Sequence, residues 1–352
     1  MSSIDPSSME QRCFGGSSIC SSVIGFGTWP IGGARYGPSD DAEAIAAIHA
    51  ALDAGVTLFD TAPSYGNGHA EELLGTALRG RRDQAAIVTK GGMIWDEQAF
   101  ITGLDSTRAH LVKGLDDSLA RLQTDYVDLF LLHWPDGETP MAEIAESLGA
   151  LVQSGKTTAV GVCNLNQPQL REIAGAATTA PIVASQVGFS LFDRRWANET
   201  FAACKELGIG VMAYGPLAHG LLTGAYTRDT TFDERDWRKA GVIFGQPLLT
   251  PENRDRNLQV LESLGSFAAR RGISMVQLAI AWVLAHQAVT VALTGARNVD
   301  EIKGAVAAAD VPLSAEELVE IDTIMQNAVG MTDVLPVGGT SKGTSTNTKQ
   351  GA

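Results

Sequence analysis

Positive charge is scarce in this sequence. Lysine and arginine together number 26 against 40 aspartate and glutamate residues, which gives a formal net charge of −14 at pH 7. Nucleic acids and anionic membrane surfaces are bound through basic faces, so this balance argues against either as a partner. It does not exclude a small anionic ligand, because a few local arginine or lysine side chains suffice to hold one.

Cysteine is also scarce, and the sequence lacks signatures of metal sites. The 4 cysteines do not have metal-ligand spacing and there is no HExxH segment, so no metal is expected. Reduced thiols are predicted for all of them, namely Cys13, Cys20, Cys163 and Cys204. The first residues do not resemble a secretory signal, and no apolar run approaches the ~20 residues of a membrane span. A cytoplasmic location is predicted from these absences.

Apolar residues are plentiful, and they fall in short runs that alternate with helical patterns. Hydrophobic residues make up 45% of the 352 positions, which is enough for a large core. The runs predict eight strands, the number that closes an α/β (TIM) barrel: Ser22–Gly25, Thr57–Asp60, Ala86–Thr89, Tyr126–Leu132, Thr158–Val162, Ile182–Ser185, Gly210–Ala213 and Val289–Leu293. A single (β/α)8 barrel domain is therefore predicted over residues 1–329, with a flexible tail over 330–352.

Several segments lie outside the alternating pattern. Residues 9–20 have the pattern of a short hairpin that would cover the bottom of the barrel. Residues 225–250 form a long polar insertion, of a kind that often serves as a lid. Helices are predicted over 252–271, 274–287 and 314–327, and the last of these is a C-terminal helix.

A polar residue stands at or just past the end of several apolar runs. These residues are Asp60, Tyr65, Lys90 and His133. The C-terminal ends of the strands form the active-site mouth of a parallel β/α barrel, so we expect the side chains to meet there. An ammonium lowers the pKa of a nearby tyrosine, and an aspartate can hold that ammonium in place. The set therefore predicts proton transfer of the kind that carbonyl reduction needs.

Each of these residues also has an ordinary structural interpretation. Asp60 could cap a turn, and Tyr65 could simply pack. Lys90 could be solvated, and His133 could be a hydrogen-bonded core histidine. Their joint position at successive strand ends favours the functional interpretation.

Several separated segments together resemble the aldo-keto reductase superfamily, most closely its bacterial and plant branch. The segments are Gly25–Trp29, Phe59–Gly66, Lys90, His133–Asp136, Gly161–Asn164, Tyr214–Leu217 and Gly295–Asn298. The resemblance implies a (β/α)8 barrel with a nicotinamide cofactor extended across its top. It also implies an NAD(P)-dependent oxidoreductase that transfers a hydride between the nicotinamide and a carbonyl or alcohol carbon. In that reading Tyr65 is the general acid and base, supported by Lys90, Asp60 and His133.

The resemblance also implies which residues bind the cofactor. Asn164 and Gln186 match positions that bind the nicotinamide carboxamide, and Tyr214 matches the ring that stacks on the nicotinamide. The whole implied set is Gly27, Thr28, Trp29, Asp60, Cys163, Asn164, Gln186, Tyr214, Gly215, Pro216, Leu217, Gly220, Leu221, Gly295, Arg297 and Glu301.

Some cofactor positions depart from the family pattern. Cys163 stands where serine is usual, Glu301 where glutamine is common and Ala305 where asparagine is common. Arg297 suits a 2′-phosphate through a charge-assisted fork, whereas Glu301 would repel that phosphate. On balance, NADP(H) is predicted over NAD(H).

Aromatic residues make up only 6% of the sequence, yet several lie just after predicted strand ends. The predicted substrate pocket consists of Trp29, Tyr65, Met93, Trp95, His133 and Trp134, with Trp237 in the lid. Such a pocket suits a planar or amphipathic carbonyl, or a sugar stacked on indole. The candidate clamps for a substrate carboxylate are Arg35, Arg235 and Arg238.

Two other functions are compatible with such a barrel. A non-catalytic NADP-binding regulatory subunit, like the β-subunits of potassium channels, would keep the fold and the cofactor, because fold does not fix function. A metal-dependent barrel hydrolase or isomerase would need a cluster of ligands at metal spacing, and the sequence does not supply one. The physiological substrate, the favoured reaction direction and the oligomeric state have no signature in the sequence.

Overall fold

The chain folds around eight parallel strands that close into a barrel. A computed structural model describes residues 9–33, 37, 39–97, 100–234 and 236–336. Along the chain, the strands are β1 (Gln11–Cys13), β2 (Cys20–Ser22), β3 (Ile24–Gly27), β4 (Leu58–Asp60), β5 (Ala86–Gly91), β6 (Met93–Trp95), β7 (Ile101–Leu104), β8 (Val127–Leu132), β9 (Thr157–Cys163), β10 (Ile182–Gly188), β11 (Gly210–Tyr214) and β12 (Val289–Gly295). The closed ring runs β3, β4, β5, β8, β9, β10, β11 and β12, which confirms the predicted barrel.

Helices surround this ring and cover its outer face. They are α1 (Asp41–Asp53), α2 (His69–Ala77), α3 (Arg108–Leu122), α4 (Met141–Gln153), α5 (Gln167–Ala176), α6 (Glu199–Leu207), α7 (Arg254–Arg270), α8 (Met275–Leu284), α9 (Val299–Val306) and α10 (Ala315–Met325). Ser274 and Ser314 form capping boxes in front of α8 and α10. The helices predicted over 252–271, 274–287 and 314–327 are present, and each is shorter at both ends than predicted.

Both faces of the barrel strands are covered, which explains their continuous apolar runs. Inward side chains such as Leu58, Leu129 and Met212 form one buried cluster, and outward side chains pack beneath the helices in another. Within the described ranges, no single helix is long and apolar enough to cross a membrane, although α7 and α8, bent by 89°, pass that test as a pair by length and composition.

The first predicted barrel strand begins too early. It was expected at Ser22–Gly25 and is found as β3 at Ile24–Gly27. Ser22 instead ends β2, where it pairs with Gln11, and its hydroxyl donates to the Ile24 carbonyl oxygen at 2.7 Å. Because Ser22 still belongs to the hairpin, the barrel strand starts two residues later than predicted. The remaining predicted strands overlap the observed ones with small shifts at their ends.

The predicted hairpin at the N-terminus closes the bottom of the barrel. β1 and β2 pair antiparallel, and Phe14 between them is fully buried in the cluster inside the barrel. A Cβ on Gly15 would lie 1.9 Å from the carbonyl oxygen of Gly208, so only glycine fits this close approach.

The hairpin also corrects the prediction for the cysteines. Cys13 stands directly opposite Cys20, and their sulfur atoms are bonded. The expectation of reduced thiols is wrong for this pair, because the antiparallel register brings the two side chains together. Cys163 and Cys204 are free and buried.

Two loop regions cover the opposite, C-terminal end of the barrel. The hairpin of β6 and β7 follows β5 and was not predicted. The insertion over 225–250 is held to residues 330–336, since the backbone N–H of Thr332 donates to the Gln246 side chain at 3.2 Å. This first part of the predicted flexible tail is therefore hydrogen-bonded to the insertion. Residues 337–352 lie outside the described residues.

Candidate active site

A buried ion pair lies at the mouth of the barrel. Lys90, in β5, places its Nζ 2.9 and 2.7 Å from the two carboxylate oxygens of Asp60, at the end of β4. The same ammonium donates to the carbonyl oxygen of Thr61 at 2.8 Å. Neither side chain of the pair is more than 5% exposed. The adjacent strands therefore hold a charge pair where water is excluded.

Tyr65 reaches this pair from the loop after β4. Lys90 Nζ lies 3.3 Å from the Tyr65 hydroxyl and 5.0 Å from the centre of its ring. The loop lies close to the turn after β3, because a Cβ on Gly66 would fall 1.9 Å from the carbonyl oxygen of Gly32. His133, which follows β8, presents its ring edge-on to Tyr65 with 6.1 Å between ring centres. The structure thus brings the four predicted side chains together.

Burial and charge set the protonation states of this group. Burial raises the pKa of Tyr65 to about 12, and the Lys90 ammonium only partly opposes the rise. Burial lowers the pKa of Lys90, but the Asp60 carboxylate prevails and that pKa is raised. Burial, and then Lys90, lowers the pKa of His133 well below its usual range, so its imidazole is neutral at pH 7. A tyrosine pKa below its ordinary value was expected, and this is wrong because the phenol loses more hydration than the ammonium replaces.

Gln186 supplies a further contact to the ion pair. Its Nε2 donates to Asp60 Oδ1 at 2.7 Å, between residues 126 positions apart. Burial raises the pKa of Asp60, while Lys90 and this amide oppose the rise. The resemblance assigned Gln186 only to the cofactor. No local sequence signal could have revealed the contact, because β4 and β10 lie on opposite sides of the closed barrel and their side chains approach only across its interior.

Asn164 and Tyr214 form a polar and aromatic pair next to His133. The Tyr214 hydroxyl donates to Asn164 Oδ1 at 3.0 Å, and Asn164 Nδ2 donates to the His133 carbonyl oxygen at 3.2 Å. Cys163 lies beside them, fully buried in the cluster inside the barrel, and burial raises the pKa of its thiol. An amide beside an aromatic face is a donor set that fits a nicotinamide carboxamide.

The loop after β11 contains several residues in left-handed backbone conformations. Gly215, Ala218, His219 and Gly220 have left-handed φ angles between 46° and 104°. Such turns can present backbone N–H groups to a phosphate. Burial, and then Arg238, lowers the pKa of His219 to about 3, so this ring is neutral. The other predicted residues of the loop are Pro216, Leu217 and Leu221, of which Leu221 is fully buried.

Arg297 and Glu301 bind each other at the start of α9. Arg297 Nη2 lies 2.9 Å from Glu301 Oε1, and the Arg297 backbone N–H donates to Glu301 Oε2 at 2.8 Å. Their side chains are 51% and 37% exposed. Gly295 lies just before them, at the end of β12, and Ala305 is 2% exposed. Arg297 is thus available at the surface, but with its charge balanced by a carboxylate.

Aromatic rings cover the mouth above Tyr65. Trp29 stacks on Tyr65 at 5.9 Å and on Trp237 of the 225–250 insertion at 5.7 Å. Phe244, from the same insertion, tilts against Tyr214 at 5.7 Å between ring centres. The insertion therefore acts as the predicted cover. The position of Phe244 has no sequence signal, because it lies in irregular backbone.

The remaining predicted pocket residues differ in their exposure. Met93 and Trp134 are each 6% exposed, and Trp95 on β6 is half-buried. Thr28, just after Gly27 at the end of β3, donates its backbone N–H to the Asp60 carbonyl oxygen at 2.9 Å.

Of the predicted clamps for a substrate carboxylate, Arg238 is the one within the described residues. Arg238 binds the Asp236 carboxylate at 2.5 Å and the His219 carbonyl oxygen at 3.2 Å. It therefore links the 225–250 insertion to the loop after β11. Arg35 and Arg235 lie outside the described residues.

Comparison with known proteins shows which family the sequence matches. The sequence matches the Aldo/keto reductase family over residues 23–326. It is 35% identical over 324 residues to aldo-keto reductase YhdN of Bacillus subtilis (strain 168), covering 91% of this chain and 95% of the relative. It is 32% identical over 321 residues to the NADH-specific methylglyoxal reductase of Escherichia coli (strain K12), covering 87% and 95%. The structure of glycerol dehydrogenase AKR11B4 from Gluconobacter oxydans superposes with a TM-score of 0.81 at 36% identity, covering 91% and 96%.

Proposed function

The chain belongs to the aldo/keto reductase family, and we propose that Tyr65 is its general acid and base, with Lys90, Asp60 and His133 in support. The protein is an NAD(P)-dependent oxidoreductase that transfers a hydride between the nicotinamide and a carbonyl or alcohol carbon. One observation carries the assignment of roles. The Tyr65 hydroxyl lies 3.3 Å from an ammonium that a buried carboxylate fixes in place.

Tyr65, Lys90, Asp60 and His133 carry out the proton transfer in this proposal. When bound, the nicotinamide supplies the hydride for reduction and accepts it in oxidation. In reduction, the Tyr65 hydroxyl donates its proton to the oxygen of the substrate carbonyl. Lys90 stabilises the tyrosinate that remains, and Asp60 prevents the ammonium from moving away. The neutral His133 ring has one N–H, which can donate a hydrogen bond to the same substrate oxygen.

The cofactor fits the residues that surround this group. We propose that Asn164 and Gln186 hold the carboxamide and that Tyr214 packs against the nicotinamide ring. The backbone of the loop over 215–221 would hold the pyrophosphate, and Arg297 the adenosine end. Side-chain amides would thus face the carboxamide, and backbone N–H groups would face the phosphates.

The mouth suits a small substrate of low charge. Trp29 stacks on Tyr65 and on Trp237 at this mouth, and such aromatic surroundings favour a short carbonyl compound or a polyol. Methylglyoxal and glycerol appear in the names of relatives, and both have this character. We propose substrates of that class, with no nucleic acid or membrane partner.

The test is turnover of the purified protein with NADPH and with NADH. Methylglyoxal and glyceraldehyde are the carbonyls to offer, and glycerol the alcohol, with nicotinamide absorbance as the readout. Consumption of the reduced cofactor that depends on the carbonyl supports the proposal. Tight cofactor binding without turnover on any carbonyl would favour the regulatory-subunit hypothesis, for which the comparisons give no support.

The choice between NADPH and NADH is proposed to depend on the Arg297–Glu301 pair. We propose a preference for NADP(H), limited by the charge of Glu301. Glu301→Gln is expected to raise the affinity for NADPH relative to NADH by about tenfold, because it removes a repulsion and releases the guanidinium for the phosphate. Quenching of tryptophan fluorescence by each cofactor measures both dissociation constants. Asp300→Asn, which removes the same charge from the neighbouring exposed position, should leave their ratio unchanged. An unchanged ratio in Glu301→Gln would contradict this role.

The two reaction directions are expected to respond differently to pH. With a Tyr65 pKa of about 12, the phenol is protonated throughout the neutral range, so reduction should be insensitive to pH between about 6 and 9. Alcohol oxidation needs the deprotonated form, which increases about tenfold per pH unit below the pKa. Its rate should therefore rise steadily over the same range. Single-turnover rates at saturating cofactor measure both profiles. An oxidation rate that does not change with pH would remove Tyr65 from the role of base.

A further inference from the structure

A fully buried carboxylate lies behind the ion pair, outside the barrel wall. Glu71, in the first turn of α2, has no exposed surface. Its Oε1 accepts a hydrogen bond from the Thr89 hydroxyl at 2.6 Å, and its Oε2 accepts one from Arg121 Nε at 2.6 Å. The Arg121 side chain is 23% exposed. Burying such a group is unfavourable unless its geometry is well satisfied, and here both oxygens are bound.

Each partner of Glu71 leads to a different part of the proposed proton-transfer group. Thr89 immediately precedes Lys90 on β5, and because strand side chains alternate, Thr89 faces the helices while Lys90 faces the mouth. α2 begins just after the loop that carries Tyr65. Glu71 therefore links β5, which carries Lys90, to α2, which follows the Tyr65 loop.

Arg121 strengthens this connection from α3. Its side chain lies over Gly68 at the start of α2, where an added Cβ would be 2.5 Å from Arg121 Cδ. Gly68 has a left-handed φ of 90°. The Arg121 side chain thus lies against the end of the Tyr65 loop, while its guanidinium binds the Glu71 carboxylate. Loop, strand and two helices meet at one buried side chain.

We propose that Glu71, through Thr89 and Arg121, is a positioning residue that sets the distance between the Tyr65 hydroxyl and the Lys90 ammonium. The inference depends on the proposed role of Tyr65. That distance is 3.3 Å, near the upper limit for a hydrogen bond, so a small displacement of the loop or strand weakens it sharply. Loss of the link should affect proton transfer while the cofactor loop and the pocket remain in place.

Two variants test the link from its two ends. Glu71→Gln removes the charge that binds Arg121, and Thr89→Val removes the hydroxyl while leaving the Glu71–Arg121 pair intact. Each is expected to lower kcat about tenfold, with KM and cofactor dissociation constants changed less than about twofold. The pH profile of alcohol oxidation should also move to higher pH, because the ammonium stabilises the tyrosinate less well.

Two control variants on α2 separate positioning from general stability. Glu72→Gln alters the neighbouring residue, whose side chain is 62% exposed, and should change nothing. Leu74→Ala removes a buried apolar side chain from the same helix, so it should lower stability without moving the pH profile. An unmoved profile with unchanged kcat in both network variants would overturn the inference. So would a profile shift in Leu74→Ala equal to theirs. If Tyr65→Phe kept full activity, the proposed role of Tyr65 would fail, which is a separate result.

Discussion

Tyr65→Phe is expected to lower kcat for carbonyl reduction by about 1,000-fold, the contribution typical of a well-placed general acid. The substitution removes one oxygen atom, the group 3.3 Å from the Lys90 ammonium. The ring remains to stack on Trp29, so the pocket keeps its shape. Cofactor affinity should therefore change less than about threefold, since Tyr65 is not among the groups proposed to hold the cofactor. Steady-state kinetics and fluorescence titration of the same preparation measure both quantities.

Tyr126→Phe is the matched control for this variant. Tyr126 is 39% exposed and lies before β8, at the opposite end of the barrel, so loss of its hydroxyl should leave kcat and cofactor binding unchanged. Full activity in Tyr65→Phe would transfer the acid role to another donor, and His133 would be the next residue to replace. Loss of cofactor binding together with activity would instead show that the phenol organises the pocket.

The clustering of the four residues proposed to transfer the proton could be predicted because each of them lies at or just past the end of an apolar run. Asp60 and Lys90 interrupt or end apolar runs, and the geometry of a parallel barrel gathers strand ends at one mouth. Nothing more than periodicity and strand count is needed for that step. The same reasoning found the insertion over 225–250, whose polarity and length set it apart.

Contacts between distant segments could not be predicted in this way. The hydrogen bond from Gln186 to Asp60 joins two segments that are distant in the sequence, and so does the contact of Phe244 with Tyr214. Both depend on how the folded chain brings these segments together. The pKa of Tyr65 is a similar case. The sequence supplies the neighbouring ammonium, but the degree of burial decides the direction of the shift, and burial is a property of the folded chain.

Lys90→Met is expected to affect both stability and activity, because it leaves the Asp60 carboxylate buried without its ammonium. Removing one partner of a buried ion pair typically costs about 3–5 kcal/mol in the free energy of unfolding. The same change takes away the charge that supports the tyrosinate, so kcat should fall at least about 100-fold. Urea unfolding and steady-state kinetics measure the two losses. Lys113→Met, at a side chain that is 75% exposed, controls for loss of a lysine.

The two losses can be separated with a second substitution at Asp60. In Lys90→Met combined with Asp60→Asn, no unpaired charge remains buried, and the asparagine can still accept the hydrogen bond from Gln186. Most of the lost stability should therefore return, while kcat stays as low as in Lys90→Met alone. Recovery of stability without activity would mean that the pair is kept for its chemistry, since a neutral pair serves the fold equally well. If Lys90→Met did not lower kcat, the ion pair would be structural, and the proton would have to come from a phenol without ionic support.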